Sequence, residues 1–197
     1  MSFSNIYEGK TVLVTGNTGF KGSWLSEWLI SLGARVEGYS NGIPTDPSLF
    51  RLLKLQDRIS HTNADVQDLQ TLKDVISKSK PDFIFHLAAQ AIVSTSYKNP
   101  LDTFLTNTVG TVNILEAIRE IDHECNVVLI TSDKAYDNVE WEWGYKETDA
   151  LGGKDIYSGS KGAAELVIKS YFHSFIESNS KINLGIARAG NVIGGGD

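Results

Sequence analysis

The chain has 197 residues, 41% hydrophobic and 21% charged, a composition that fits one globular domain with a real core and excludes a disordered chain. Its net charge of -6 comes without any Lys/Arg cluster, which argues against nucleic acid or an anionic membrane as the main partner, so a phosphate-bearing ligand has to be held locally. One cysteine, Cys125, excludes a disulfide framework; with no membrane-length apolar run and no signal-peptide start, the expected location is the cytoplasm.

Thr11-Val12-Leu13-Val14 reads as a buried strand ending in Thr15-Gly16, and Trp24, Leu25, Trp28, Leu29 and Leu32 carry a helix over 20–32 that Gly33 closes. A second strand over 35–40 leads into a turn-rich segment with Pro44 and Pro47 and a small helix over 49–55. The next strand, 59–64, is less apolar and belongs near an edge; Asp65 marks its end. Leu69, Leu72, Val75 and Ile76 keep helical period until Pro81, and a fourth strand, 83–87, runs into Ala88-Ala89. Phe104, Leu105, Val109, Val112, Leu115 and Ile118 predict one long helix over about 99–121, before a fifth strand over 127–131 with Cys125 just ahead of it. Residues 135–156, with Trp141 and Trp143, have no period and read as a functional loop. A helix over 157–175 and a sixth strand over 182–187, with Arg188, Gly190 and Asn191 at its end, complete the pattern. Strands alternating with helices imply an α/β fold, a doubly wound parallel sheet in the order 3-2-1-4-5-6 within a single unit, 1–197.

Gly16-Asn17-Thr18-Gly19-Phe20-Lys21-Gly22 spaces its glycines as GxxGxxG at the first strand-to-helix junction, where a dinucleotide pyrophosphate would meet a helix N-terminus; Lys21-Gly22 breaks the ending that a P-loop needs. An acid is expected at the end of the second strand to bond the adenosine ribose, but Tyr39-Ser40-Asn41 stand there. Ribose recognition then falls to neutral groups such as Ser40, and NAD is favoured over NADP because no arginine follows that strand. Asp65-Val66 suits the adenine amino group, with a helix cap as the rival reading of Asp65. Leu87, Ala88 and Ala89 suit a backbone lying against a flat cofactor; His86 reads as structural, and Asn107 either as solvated or as support for the active-site lysine. Thr131-Ser132-Asp133-Lys134, at a strand's carboxyl end, puts an acid and a base side by side where open α/β sheets bind ligands. Tyr157 and Lys161, four apart, share a helix face: an ammonium near a phenol favours the phenolate, as proton transfer coupled to hydride transfer requires. No metal is expected.

In this order, TGxxGxxG, a strand-end Ser/Thr and YxxxK resemble the extended short-chain dehydrogenase/reductase family, with its Rossmann fold, over essentially the whole chain. TGNTGFKGSWL (15–25), HLAAQ (86–90), TSDKAY (131–136), WGYKETDALGGKDIYSGSKGAAE (143–165) and ARAGNVIGGGD (187–197) are similar to its sugar-nucleotide 4,6-dehydratases, with the Asp-Lys pair of the branch acting on CDP-glucose. Asn17 and Ala135 stand where that branch has histidine and cysteine. The resemblance implies an internal redox cycle with NAD: Tyr157 removes the 4-hydroxyl proton as hydride leaves carbon 4. Lys134, its ammonium pKa lowered by burial beside Lys161, then takes the proton on carbon 5, Asp133 protonates the departing 6-hydroxyl, and hydride returns to carbon 6. Thr131 would bond the 4-oxygen and Asn191 would touch substrate, while Arg188 reads equally as an ion-pair partner. A homodimer through the helices near 99–121 and 157–175 is implied as well, as is a C-terminal substrate part that this chain mostly lacks, leaving its activity in isolation open. Two alternatives stay open: an epimerase or reductase of the same family, and a noncatalytic NAD-binding module.

Overall fold

Val12, Leu13 and Val14 are wholly buried because β1 (Thr11–Thr15) runs through the middle of a sheet covered on both faces. The computed structural model describes residues 2–196, so Met1 and Asp197, the two ends of the expected unit, lie outside the described residues. Leu13 faces one helical layer and its neighbours Val12 and Val14 face the other, as the period of two demands. On one side pack α3 (Leu69–Ser79), α6 (Gly110–Arg119) and α7 (Ile156–Tyr171), contributing Leu72, Ile76, Ile114, Leu115, Ile118 and Ile168. On the other, α1 (Phe20–Ser31) brings Leu25, Leu29 and Ile30 against Val12, Val14 and Val36.

The remaining strands are β2 (Arg35–Ser40), β3 (Ser60–Asn63), β4 (Phe83–His86), β5 (Cys125–Ser132) and β6 (Ile182–Ala189). All pair in parallel in the order β3-β2-β1-β4-β5-β6, the expected doubly wound topology, with the polar β3 at one edge. Chain reversal between β1 and β4 opens a crevice at the carboxyl ends of the strands, with the Gly-rich turn after β1 on one side and, beyond β4, the polar end of β5 on the other.

Several boundaries move. The helix over 49–55 is only α2 (Leu49–Leu52), with a 3₁₀ turn after it. A short helix, α4 (Val93–Lys98), forms where no period was visible, since Ser94, Thr95 and Ser96 break the apolar pattern. The long helix over 99–121 is α5 (Pro100–Phe104), a π turn (Leu105–Val109) and α6 in one run, and the last helix likewise ends in a π turn (Phe172–Ile176). β5 starts at Cys125, so the cysteine lies within the strand, buried, its thiol pushed up to about 12 by desolvation and the Asp82 charge. β6 runs on to Ala189, which makes Arg188 a strand residue, opposite Thr131.

Candidate active site at the carboxyl edge of the sheet

Gly16 takes φ +72, and a Cβ there would stand 2.8 Å from the Ala88 nitrogen, so only glycine lets the turn lie against the end of β4. At Gly22 a Cβ would come within 2.1 Å of the Gly16 carbonyl oxygen, which fixes how closely α1 docks on the turn. Gly19, the N-cap of α1, offers no side-chain acceptor, so the first-turn N–H groups of Phe20, Lys21 and Gly22 carry no side-chain cap. A Cβ at Gly19 would meet only the Gly16 oxygen, at 3.5 Å, so the face over this helix end is open. An uncapped helix start under bare backbone is a cradle for a pyrophosphate, flanked by half-buried Leu87, Ala88 and Ala89; these residues fit a dinucleotide.

The adenosine side is built differently from expectation. Ser40 is buried, its hydroxyl donating to Asn17 Oδ1 (2.9 Å) and lying 3.0 Å from Thr18 Oγ1, which itself donates to the Gly42 carbonyl (2.7 Å). The hydroxyl assigned to the ribose is thus spent beneath the turn, because Ser40 points inward while Asn41, one residue on, is exposed. Asn41 Nδ2 donates to Asp65 Oδ2 (2.7 Å), and the Gln67 N–H donates to Asp65 Oδ1 (2.9 Å). Asp68, not Asp65, caps α3, which removes the rival reading of Asp65. Val66 is buried against Gly110, and its carbonyl accepts from Asn113 Nδ2 (2.9 Å).

Across the crevice, Asp155 caps α7, accepting from the Ser158 N–H (3.0 Å), and the first turns of that helix carry Tyr157 and Lys161 inward. Lys161 Nζ lies 5.9 Å from the centre of the Tyr157 ring. The lysine is 7% exposed, and burial together with the Lys21 cation lowers its ammonium pKa to about 8. Tyr157 departs from expectation: burial raises its phenol, a hydrogen bond with Ser132 opposes the rise, and the charges of Asp133 and Asp155 add to it. The protein alone therefore holds Tyr157 as the neutral acid. His86 is buried with Nδ1 2.8 Å from Thr15 Oγ1; desolvation, then Lys161, pushes it down to about 3, so it is a neutral structural group, as expected. Asn107 is not solvated. From the π turn its Oδ1 accepts from the Gln90 N–H (2.8 Å), and its Nδ2 donates to the Gln90 carbonyl (3.0 Å) and Ser160 Oγ (2.9 Å), tying the end of β4 to α7.

Thr131 needs correction. It is buried, and its hydroxyl donates to Glu165 Oε1 (2.6 Å), which Arg188 also grips through Nε at 2.7 Å. Ser132, pointing to the opposite face of β5, is the hydroxyl that meets Tyr157, because alternation along Cys125–Ser132 turns Thr131 to the buried side with Cys125, Val127 and Leu129. Arg188 is thus an ion-pair partner, stacked 4.6 Å over the Tyr136 ring, and Glu165 is 2% exposed, a buried charge that escaped notice although it lies one helical turn beyond Lys161. Asp133 and Lys134 are exposed, so Lys134 lacks the burial expected of it; the buried lysine is Lys161. Asn191 is exposed beyond β6. The edge thus offers a phosphate cradle, a hydroxyl-phenol-ammonium set suited to proton transfer at a carbinol, and an acid and a base next to it.

The GDP-mannose 4,6 dehydratase family pattern matches residues 13–184. The chain is 48% identical to CDP-glucose 4,6-dehydratase of Salmonella typhimurium over 197 residues, covering 98% of this chain and 55% of that protein. It is similar in structure to an epimerase of Methanothermobacter thermautotrophicus (TM-score 0.80, 30% identity, 98% of this chain and 55% of the other). A UDP-glucose 4-epimerase of Thermus thermophilus, solved as a complex with NAD, also matches (TM-score 0.73, 26% identity, 90% and 54% covered). The chain spans about half the length of the curated relatives it matches. Among the described residues no helix is long and apolar enough to cross a membrane.

Proposed function

Since the chain belongs to the GDP-mannose 4,6 dehydratase family, within the extended short-chain dehydrogenase/reductases, we propose that it binds NAD and acts on a nucleotide sugar as a CDP-glucose 4,6-dehydratase. The supporting observation is that Ser132, Tyr157 and Lys161 come together, with Lys161 within reach of the Lys21 charge on the glycine turn and Asp133 and Lys134 next along the chain. CDP-glucose as substrate draws on the 48% identity.

NAD, held by the Gly16–Gly22 turn with Leu87, Ala88 and Ala89, would supply a hydride acceptor for carbon 4 and a hydride donor for carbon 6. Tyr157, a neutral phenol in the protein alone, first gives its proton to solvent, the Lys161 cation stabilising the phenolate; Ser132 and Tyr157 hold the 4-oxygen, and the phenolate then takes the proton of the 4-hydroxyl. The 4-ketone acidifies carbon 5. Lys134 takes that proton, Asp133 gives one to the 6-oxygen as it leaves as water, and the product is a 4-keto-6-deoxy sugar. Asn191 contacts the sugar nucleotide, and α6 with α7 forms a homodimer face. Mass spectrometry of the full-length protein incubated with CDP-glucose and NAD tests the reading: a product lighter by one water supports it, and unaltered or epimerised sugar in the presence of bound NAD overturns it.

A second reading, 4-epimerase or reductase chemistry, is favoured by the exposure of Asp133 and Lys134, since it needs only Ser132, Tyr157 and Lys161. Lys134→Met separates the two: a dehydratase loses water elimination by about 10²-fold or more, whereas an epimerase keeps its rate.

A further inference from the structure

We propose that Asn41, held by Asp65, takes the place of the missing ribose acid and sets the preference for NAD over NADP; this rests on the NAD-binding reading above. A carboxylate only accepts hydrogen bonds, so the 2.7 Å contact with Asp65 Oδ2 fixes the Asn41 amide with Nδ2 toward the acid and turns Oδ1, its acceptor, the other way. The acid is itself anchored, because its second oxygen takes the Gln67 N–H at 2.9 Å. Asn41 directly follows the last residue of β2, the place from which a carboxylate would accept from the ribose hydroxyls. An amide oxygen of fixed direction can do the same. Its neighbour Ser40 cannot, being engaged by Asn17 and Thr18.

The pair also repels. A 2′-phosphate at this point would face an amide oxygen backed by the Asp65 charge, and residues 41–50 hold no lysine or arginine to receive it. The first cation after β2, Arg51, is already bonded to Asp46 (3.3 Å). Recognition of the bare ribose and exclusion of the phosphate thus come from one hydrogen-bonded pair. The role of Asp65 here is positioning, and that of Asn41 is specificity.

Calorimetric titration of the protein with NAD and with NADP at fixed salt reads this directly. The unaltered protein binds NAD more tightly, and Asn41→Ala and Asp65→Asn each narrow the NADP-to-NAD ratio of Kd by about tenfold. The exchanged pair, Asn41→Asp with Asp65→Asn, keeps a carboxylate and an amide in contact and restores the preference. Both sites are at the surface rim, so thermal unfolding midpoints should stay close to that of the parent. If either single variant weakens NAD and NADP by the same factor, the two residues serve the adenine or the loop alone and this inference is overturned while NAD binding stands. If the unaltered protein binds neither nucleotide, the wider reading falls and this one with it.

Discussion

The two ends of the crevice are built on opposite plans. Around the Gly16–Gly22 turn the side-chain hydroxyls are used within the protein, Ser40 bonding both Thr18 and Asn17, two glycines leave no room for a Cβ, and only the first-turn backbone N–H groups stay open. Past the end of β5 the chain is displayed, with Asp133 and Lys134 exposed and the loop over 136–155 held by an Arg188–Tyr136 stack and Tyr136 against Tyr145 (4.9 Å). The cofactor side is finished before any ligand arrives, whereas the acid and base of the elimination step have yet to be enclosed. Tyr157 and Lys161 stand between: both are buried, and burial favours the neutral phenol of the one and weakens the ammonium of the other. Rigidity thus goes with phosphate recognition, and exposure with the step that must admit a sugar.

Breaking the chemistry without the frame gives the largest effect. Tyr157→Phe should lower turnover about 10²–10⁴-fold with an unchanged unfolding midpoint, measured by product formation and calorimetry. Next comes the frame under the open end. Arg188→Met leaves Glu165 buried without its cation and should cost about 3–5 kcal/mol in urea unfolding. Gly22→Ala attacks the closed end, where a Cβ at 2.1 Å from a backbone oxygen forces α1 off the turn; about 3 kcal/mol and loss of NAD binding are expected, read by urea and titration. Lys161→Met sharpens the contrast through pH. The native ammonium titrates at about 8 against 10.5 when unfolded, so between these values the unfolded chain binds the extra proton and stability rises with pH. Below pH 8 the full penalty is present, so the variant should be more stable there by about 3 kcal/mol, the gain vanishing toward pH 10.5 in a series of urea curves.

Much of the frame was legible because apolar runs such as Val127–Ile130 and the glycine turn are local signals, and connectivity rules then leave one plausible strand order. The π turn at Leu105–Val109 has no such signal: its apolar spacing is that of an ordinary helix, and what it does depends on Gln90 and Ser160, distant in sequence. Choosing Thr131 over Ser132 was an error of parity. Cys125, Val127, Leu129 and Thr131 share one face of β5, so the hydroxyl in step with the apolar residues was the one pointing inward. The missing acid after β2 was correctly noticed, yet only geometry shows Asn41 lying on Asp65, since the two belong to different strand ends. Lys134 was assigned the burial that belongs to Lys161 because sequence proximity to a site says little about depth.

Cys125 lies wholly buried in β5, between β4 and β6, with its thiol held far from ionisation near neutral pH. Being the sole sulfhydryl, it makes the protein a built-in clock: a thiol-specific reagent can react only when the sheet opens, so labelling time courses report opening at the amino end of β5 without any added probe. Ligands that clamp the crevice should slow that clock, and they can be ranked by how much they do so before a single turnover is followed.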